Sequence, residues 1–204
     1  MPYKNHKQYR LPGYDYSAMG DYFITVCTKD RIHHFGKIIK TNNNAFIELS
    51  AIGSFIKESI LSIPDTCKNV TLGETVVMPN HIHLIITLPN IAGTGHGVGA
   101  GRSLFLPEPQ QSSLQQIISP YGGLKPLTPG SVSSIINHLK GKAKKWCKAN
   151  GHAGFNWQAR FHDHIIRDSK AYNTISNYIA NNIWNWNNDE NNDDGNKFRK
   201  DIRT

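Results

Sequence analysis

Residues 76–89 read VVMPNHIHLIITLP, and the fold prediction starts from this segment. Two runs of apolar and β-branched residues flank a Met-Pro-Asn turn, a pattern typical of two successive strands. His81 and His83, the first histidine pair, are two positions apart, so in a strand both imidazoles lie on one face while Ile82 points into the core. Two neutral imidazoles on a rigid strand are good ligands for a divalent cation, although two half-buried histidines with local hydrogen bonds would have the same spacing.

The segments on either side of residues 76–89 also have periodic apolar patterns. Alternating apolar residues predict strands, and apolar stripes at helical spacing after a Ser or Asp cap predict helices. The predicted elements are strands at 21–28, 37–39, 45–49, 70–77, 81–88 and 161–167 and helices at 51–62, from about 131 to 149, and from 168 or 169 to about 184. This order is typical of a split βαβ sheet. We therefore predict an α+β, ferredoxin-like antiparallel sheet with helices packed mainly on one face.

Length and composition favour one domain. The chain has 204 residues, of which 38% are hydrophobic, and we predict a single domain at 1–188 followed by a polar tail at 189–204 that is frayed or peripheral. A long insertion at about 89–130 contains GTGHGVGAGR, but no Gly-Lys-Ser/Thr follows. We therefore interpret the insertion as a loop-like connector rather than a phosphate-binding loop.

Several classes of protein are excluded by composition. No apolar run is long enough to span a membrane, and the first residues lack the apolar segment of a secretory signal. The three cysteines are widely separated and odd in number, which disfavours a disulfide framework. These features predict a cytoplasmic protein.

The positive charge is concentrated in one part of the sequence. The net charge is +8, and residues 75–162 carry eight Lys and Arg against one acid, Glu108. Such segregation is what binding of a polyanion requires, although a solvated basic face would have the same composition. Trp146 and Trp157 lie beside the lysines, and aromatic rings between phosphate contacts favour single-stranded nucleic acid.

Two further groups of residues are candidates for chemistry. His162 and His164, the second histidine pair, also share one strand face, so they compete for the metal-binding role, and all four histidines could surround zinc. Tyr178 and Asn182 are four apart on the last predicted helix, where one face would present a hydroxyl nucleophile and an amide ligand. The alternative is a core-edge tyrosine and one more Asn of an Asn-rich run, because amphipathic helices routinely carry such residues.

Three segments together resemble a known family. MPNHIHLIITLP at 78–89, WQARFHDHIIRD at 157–168 and SNYIANNIWNW at 176–186 are similar to the successive signatures of single-tyrosine HUH transposases, where HUH stands for His-hydrophobe-His. The similarity is greatest to the REP-associated tyrosine transposases, followed by related insertion-sequence transposases. It extends from about residue 20 to 186. The resemblance implies a ferredoxin-like sheet that carries the first histidine pair on a central strand.

The resemblance also implies a site and a reaction. Tyr178 would be the nucleophile, and His81, His83 and Asn182 would hold a divalent cation, Mg²⁺ or Mn²⁺. The enzyme would cleave single-stranded or hairpin DNA, such as palindromic repeats, through a 5′-phosphotyrosine intermediate and then transfer the strand. The second histidine pair would contact the DNA backbone or orient the metal ligands. Further contacts with the DNA backbone are assigned to Lys140, Lys142, Lys144, Lys145, Lys148 and Arg160.

Other functions fit parts of the same sequence. A non-catalytic single-stranded nucleic-acid-binding protein would use the same sheet without chemistry. A rolling-circle initiator or relaxase shares the histidine pair and the tyrosine, and a hydrolase with four histidines would release its product without a protein adduct. A monomer and a homodimer are both compatible with the sequence, and DNA binding would place the protein at the nucleoid.

Overall fold

The computed structural model describes residues 15–89, 127–189 and 191–192. The strands and helices are β1 (Gly20–Cys27), β2 (Gly36–Lys40), β3 (Ala45–Leu49), α1 (Ala51–Leu61), α2 (Ile63–Thr66), β4 (Thr71–Val77), β5 (His81–Leu88), α3 (Val132–Ala149), β6 (His162–Ile166) and α4 (Ser169–Ala180). Most of the insertion predicted at 89–130 lies outside the described residues. Within the described ranges, no helix combines the length and apolarity needed to cross a membrane.

Four strands form one antiparallel sheet in the order β4-β5-β1-β6, and β2 and β3 form a separate hairpin. β5 is a central strand because β4 and β1 pair with its two edges. β1 in turn lies between β5 and the last strand, β6, which forms one edge of the sheet. This arrangement confirms the predicted α+β, ferredoxin-like class, with the first histidine pair on a central strand.

Alternation along β5 divides the sheet into two faces. Ile82, Leu84 and Ile86 are fully buried in the larger core, to which α1 and α3 contribute. The first histidine pair and Ile85 point to the opposite face, where Ile179 of α4 packs. Two of the three longer helices therefore lie on one face, in agreement with the prediction, and α4 covers the face that carries the histidines.

The three longer helices begin with a Ser or Asp cap, as the sequence predicted. The side chains of Ser50, Ser131 and Asp168 each accept a hydrogen bond from the backbone N–H three residues later, at 3.0, 3.2 and 2.7 Å. Each such cap stabilises its helix by about 1 kcal/mol. After α3, Gly151 has a φ of +82°, the left-handed conformation that ends many helices.

α4 ends earlier than predicted, at Ala180 rather than near residue 184. The Asn181 side chain donates to the carbonyl oxygen of Asn177 (2.7 Å), and the N–H of Asn182 donates to the carbonyl three residues back (3.1 Å). Asn side chains compete with the backbone for such hydrogen bonds, which disfavours further helical turns. The prediction that Asn182 shares a helix face with Tyr178 is therefore wrong, because Asn182 lies in the turn after the helix.

Gly73 allows α4 to approach the sheet closely. It lies at an irregularity in β4, and a Cβ atom added there would be 2.4 Å from Tyr172 Oη and 3.0 Å from Ile85 Cβ. A side chain at this position would displace the Tyr172 hydroxyl and crowd Ile85. Gly73 therefore leaves room for the Tyr172 side chain of α4 against β4.

Candidate functional site

The first histidine pair lies side by side on β5 and is closed off from solvent. His81 is 0% exposed and His83 is 2% exposed, and their Nε2 atoms are 3.0 Å apart. The ring of Trp186 lies over His81, with centroids 6.0 Å apart. The alternation of β5 thus places both imidazoles on one face, and their Nε2 atoms converge on one point.

Each imidazole is held through its other nitrogen. His81 Nδ1 lies 2.8 Å from Asn80 Oδ1, and His83 Nδ1 lies 2.8 Å from Thr25 Oγ1. Thr25 is the residue of β1 directly opposite His83 in the sheet. These contacts leave the Nε2 atoms as the nitrogens available for a ligand. No pattern in the sequence indicated the role of Asn80 or Thr25.

A carboxylate completes this group. Asp189 Oδ2 lies 3.9 Å from His81 Nε2, and Asp189 is buried. Sequence reasoning missed this residue because it is one of several acids in an Asn- and Asp-rich stretch with no periodic signal. Among the described residues, His81, His83 and Asp189 are the group whose potential ligand atoms all lie within 4.8 Å of one another.

Asn182 lies next to the carboxylate. It is 1% exposed, and its Nδ2 donates to Asp189 Oδ2 at 3.0 Å. Its Oδ1 is buried and has no hydrogen-bond partner in the part of the chain that the structure describes. A buried amide oxygen without a partner is unfavourable, and a cation would supply one. Asn182 therefore lies beside the histidines and Asp189, but in the turn after α4 rather than on the helix.

The donor set fits a divalent cation. Imidazole nitrogens together with carboxylate and amide oxygens are ligands that such cations accept in proteins. Two ligand atoms about 2.1 Å from one small cation and at right angles to each other lie about 3 Å apart, which matches the separation of the two Nε2 atoms. The buried His-His-Asp group can therefore hold a metal ion.

Burial keeps the two imidazoles neutral. Desolvation lowers the pKa of His81 well below its usual value, and the nearby His83 and Arg31 lower it further. Desolvation also lowers the pKa of His83 to about 4, against an opposing effect of Asp189. Neutral imidazoles have the lone pair that a cation requires, so the site is suited to metal binding at neutral pH.

Tyr178 brings a hydroxyl to the rim of this group. Its Oη lies 3.4 Å from His83 Nε2, and its ring packs edge-on against His83 and Phe23. The side chain is 42% exposed, in contrast to the buried histidines. A hydroxyl in this position can reach a phosphate of a large substrate while remaining beside the potential metal ligands.

The residues that follow α4 close the site. Asn191 N donates to Asp189 Oδ1 (2.6 Å), Asn80 Nδ2 donates to the Asn191 carbonyl (2.9 Å), and Asn192 Nδ2 donates to the Trp186 carbonyl (3.0 Å). Asp189, Asn191 and Asn192 are buried. The prediction of a frayed or peripheral tail is wrong for these residues, because hydrogen bonds compensate the burial of their polar groups.

The second histidine pair lies away from the cluster. His162 and His164 are on the edge strand β6, paired with Thr25 and Phe23 of β1, so β1 separates them from β5. Two strand spacings amount to about 10 Å. The four histidines do not converge on one zinc ion, and the partners that orient the first pair are Asn80 and Thr25. Contact of the second pair with DNA stays a prediction.

Lys140 and Lys144, which were predicted to contact DNA, donate hydrogen bonds to the segment before β6. Lys140 Nζ donates to the carbonyl oxygens of Gln158 and Arg160 at 2.8 and 2.9 Å. Burial lowers the pKa of Lys140. Lys144 Nζ donates to Asn156 Oδ1 at 2.7 Å. Both ammonium groups thus fasten the segment before β6 to α3, on the side of the sheet opposite the first histidine pair.

The remaining basic residues of this group are exposed, and their contact with DNA stays a prediction. They are Lys142, Lys145, Lys148 and Arg160. Trp146 and Trp157 are half-buried: Trp146 stacks on Phe55 with centroids 4.6 Å apart, and Trp157 Nε1 donates to the Lys140 carbonyl at 3.2 Å. These two rings therefore pack within the protein and do not support the expected stacking of bases.

The fold and the site define an α+β protein with a buried His-His-Asp group beside a tyrosine hydroxyl. The chain belongs to the same family as an uncharacterised protein of Haemophilus influenzae, with which it is 30% identical over 187 residues, or 91% of this chain and 92% of that protein. No family model matches the sequence.

Solved structures that are similar to this chain include two transposase structures. One is a REP-associated tyrosine transposase bound to a REP hairpin, with a TM-score of 0.49 and 19% identity over 85% of this chain and 72% of that one. The other, from Deinococcus radiodurans, is provisionally described as a transposase and has a TM-score of 0.40 and 16% identity over 84% of this chain and 95% of that one.

Proposed function

We propose that this protein is a HUH-type endonuclease and strand transferase that acts on single-stranded or hairpin DNA. The observation that carries the proposal is the convergence of a tyrosine hydroxyl, two imidazoles and a carboxylate from distant parts of the chain. Tyr178 Oη lies 3.4 Å from His83 Nε2, and Asp189 Oδ2 lies 3.9 Å from His81 Nε2. The motifs that resemble the single-tyrosine HUH transposases contain His81, His83, Tyr178 and Asn182.

In the proposed reaction, Tyr178 Oη attacks the phosphorus of a phosphodiester. The bond from phosphorus to the tyrosine oxygen forms, and the bond to the 3′ oxygen breaks. The proton lost by the phenol is balanced by the proton that the 3′ oxygen gains as it leaves as a hydroxyl. The products are a 5′-phosphotyrosine link and a free 3′-OH strand.

The phenol needs activation, because the pKa of an unperturbed tyrosine is about 10. His81, His83, Asp189 and Asn182 would hold a divalent cation, Mg²⁺ or Mn²⁺. When bound, such a cation supplies Lewis-acid polarisation of the phosphate and offsets its negative charge. The buried side chains around it exclude water, which favours attack by the tyrosine over hydrolysis.

The substrate class follows from charge and from the position of the hydroxyl. The side chain of Tyr178 is 42% exposed, so a phosphate within a long strand can approach it from outside. Residues 75–162 provide most of the net positive charge of +8, which favours a polyanion. The phosphotyrosine link retains the energy of the phosphodiester, so a second 3′-OH can reverse the step and join strands.

The test is a denaturing gel of a labelled DNA hairpin incubated with the protein, with and without Mn²⁺. The wild-type protein should give a protein-linked band that depends on Mn²⁺. Tyr178→Phe should bind the hairpin as well as wild type but form no adduct, whereas the matched control Tyr172→Phe, on the same helix, should retain it. An undiminished adduct in Tyr178→Phe would refute the nucleophile assignment.

A second assay tests strand transfer. After the adduct has formed, an unlabelled oligonucleotide with a free 3′-OH should release the protein and yield a joined, labelled strand. Release without joining would indicate a simple nuclease. Binding of the hairpin without a cation and without any adduct would instead favour the non-catalytic binding protein.

A further inference from the structure

Asn80 fixes the position of a proton on His81. Its Nδ2 donates to the carbonyl oxygens of Arg31 (3.0 Å) and Asn191 (2.9 Å), so the amide nitrogen is committed to those two acceptors. The amide oxygen therefore faces His81 Nδ1, 2.8 Å away. An amide oxygen has no hydrogen to donate, so the hydrogen lies on Nδ1. Neutral His81 then has its lone pair at Nε2.

His83 faces that lone pair. Its Nε2 is 3.0 Å from His81 Nε2, a distance at which two lone pairs would repel. Without a cation, the hydrogen of neutral His83 therefore lies on Nε2 and is donated to His81. His83 Nδ1 is then an acceptor, and its partner at 2.8 Å, the Thr25 hydroxyl, is the donor.

We infer that Asn80 and Thr25 are positioning residues with different tasks: Asn80 holds His81 permanently in the Nδ1–H tautomer, and Thr25 allows His83 to exchange between its two tautomers. This inference rests on the proposed cation site. For both Nε2 atoms to act as ligands, the hydrogen of His83 moves from Nε2 to Nδ1, and the Thr25 hydroxyl rotates from donor to acceptor. The net number of protons on the protein does not change.

A hydroxyl is suited to this exchange and an amide is not. The hydroxyl of Thr25 carries one hydrogen and two lone pairs and can rotate about one bond, so it serves either tautomer at the same oxygen position. The amide of Asn80 is held at both ends, and reversing it would cost two hydrogen bonds. His81 therefore has the tautomer that binds a cation before the cation arrives, whereas His83 changes its tautomer when a cation binds.

The experiment measures tautomers directly in the full-length protein labelled with ¹⁵N-histidine. Long-range ¹H–¹⁵N spectra are recorded without metal and with Zn²⁺ as a diamagnetic probe, and His81→Gln and His83→Gln variants assign the signals. We expect the Nδ1–H form of His81 in both states. His83 should change from the Nε2–H form to the Nδ1–H form when Zn²⁺ is added.

A His81 in the Nε2–H form, or a His83 already in the Nδ1–H form without metal, would overturn the inference. If Mn²⁺ supports adduct formation but Zn²⁺ leaves the His83 tautomer unchanged, the inference fails and the proposed function stands. If neither ion affects any histidine signal and no adduct forms, the proposed function fails as well. The metal-free spectrum of the wild-type protein is decisive even where a variant does not fold.

Variants of Thr25 separate positioning from packing. Thr25→Val keeps the shape but removes the acceptor for the Nδ1 hydrogen of His83, so Mn²⁺ should bind about 10- to 100-fold more weakly, the range for residues that orient metal ligands. Thr25→Ser keeps the hydroxyl and should restore the affinity to near that of wild type. Equal Mn²⁺ affinity of the Val and Ser variants, measured by calorimetry, would contradict the role of Thr25.

Discussion

The two histidine pairs of this protein have the same spacing and lie on the same face of the same sheet, yet they have different surroundings. The first pair is on central β5, where both rings are buried beneath α4 and the residues that follow it. The second pair is on edge strand β6, where His162 is half-buried and His164 is exposed. The comparison teaches that a His-x-His motif becomes a potential metal site only when neighbouring elements supply further ligands and fix the rings.

The largest expected difference between the pairs is in cleavage. His81→Ala removes one of the proposed metal ligands, so the Mn²⁺-dependent rate of hairpin cleavage should fall by at least about 100-fold. His164→Ala alters an exposed residue and should leave the rate within about threefold of wild type. Both rates are measured by single-turnover assays. A loss of activity confined to His164→Ala would transfer the catalytic role to the second pair.

A change at Asp189 tests whether the carboxylate beside the first histidine pair contributes to metal binding. Asp189→Asn keeps the size of the side chain but removes its negative charge, so Mn²⁺ should bind at least about tenfold more weakly. Glu58→Gln, an exposed change on α1, is the control for loss of one negative charge. Calorimetric titration gives both affinities. Equal affinities for the two variants would remove Asp189 from the set of ligands.

Burial of the first histidine pair should also affect stability at low pH. The pKa of His83 is about 4 in the folded protein and about 6.5 in the unfolded chain. Between these values the unfolded state binds more protons, so the free energy of unfolding of the metal-free protein should fall as the pH is lowered from about 6.5 to 4. For His83 the total loss is on the order of 3 kcal/mol.

Urea unfolding at several pH values checks this expectation. His83→Gln should show a smaller decrease in stability over this pH range than wild type, because a titrating group with a lowered pKa is absent. An identical pH dependence in the two proteins would mean that the buried histidine does not govern acid stability.

The smallest effects are expected on the other side of the sheet. Lys148→Ala removes an exposed charge, so the free energy of unfolding should change by less than about 0.5 kcal/mol. The slope of log affinity against log salt concentration should fall by about 0.7 if the residue contacts single-stranded DNA.

Lys140→Met leaves two carbonyl oxygens without their donor and should destabilise the protein by about 1–3 kcal/mol. Urea unfolding measures the stability of the two variants, and fluorescence anisotropy at varied salt concentration measures their affinity for DNA.

Much of the fold follows from local sequence. β5 begins and ends as predicted, at His81 and Leu88, because a turn and a proline bound an apolar run. Ser131 and Asp168 fix the starts of α3 and α4 as caps. The predicted end of α4 was wrong. Apolar residues at helical spacing continue to Ile183, but the side chains of the Asn residues form hydrogen bonds that compete with further helical turns.

The site was only partly predictable, for a different reason. The first histidine pair, Tyr178 and Asn182 lie in recognisable motifs, and the structure brings them together. Asp189 has no such signal, because its position depends on the turn after α4 and on hydrogen bonds with Asn182 and Asn191. Contacts between residues more than a hundred positions apart, such as Asn80 with Asn191, cannot be deduced from the pattern of either segment.

The connection between Tyr178 and its neighbours along the chain has a further consequence. Tyr178, Asn182 and Asp189 lie within a single stretch of twelve residues, 178–189, whereas the imidazoles belong to β5. Any rigid shift of that stretch relative to β5 displaces the hydroxyl, the amide and the carboxylate together and leaves the imidazoles behind. If two copies of the chain exchanged this stretch, each would acquire a composite centre built from two polypeptides, with all its reactive groups intact.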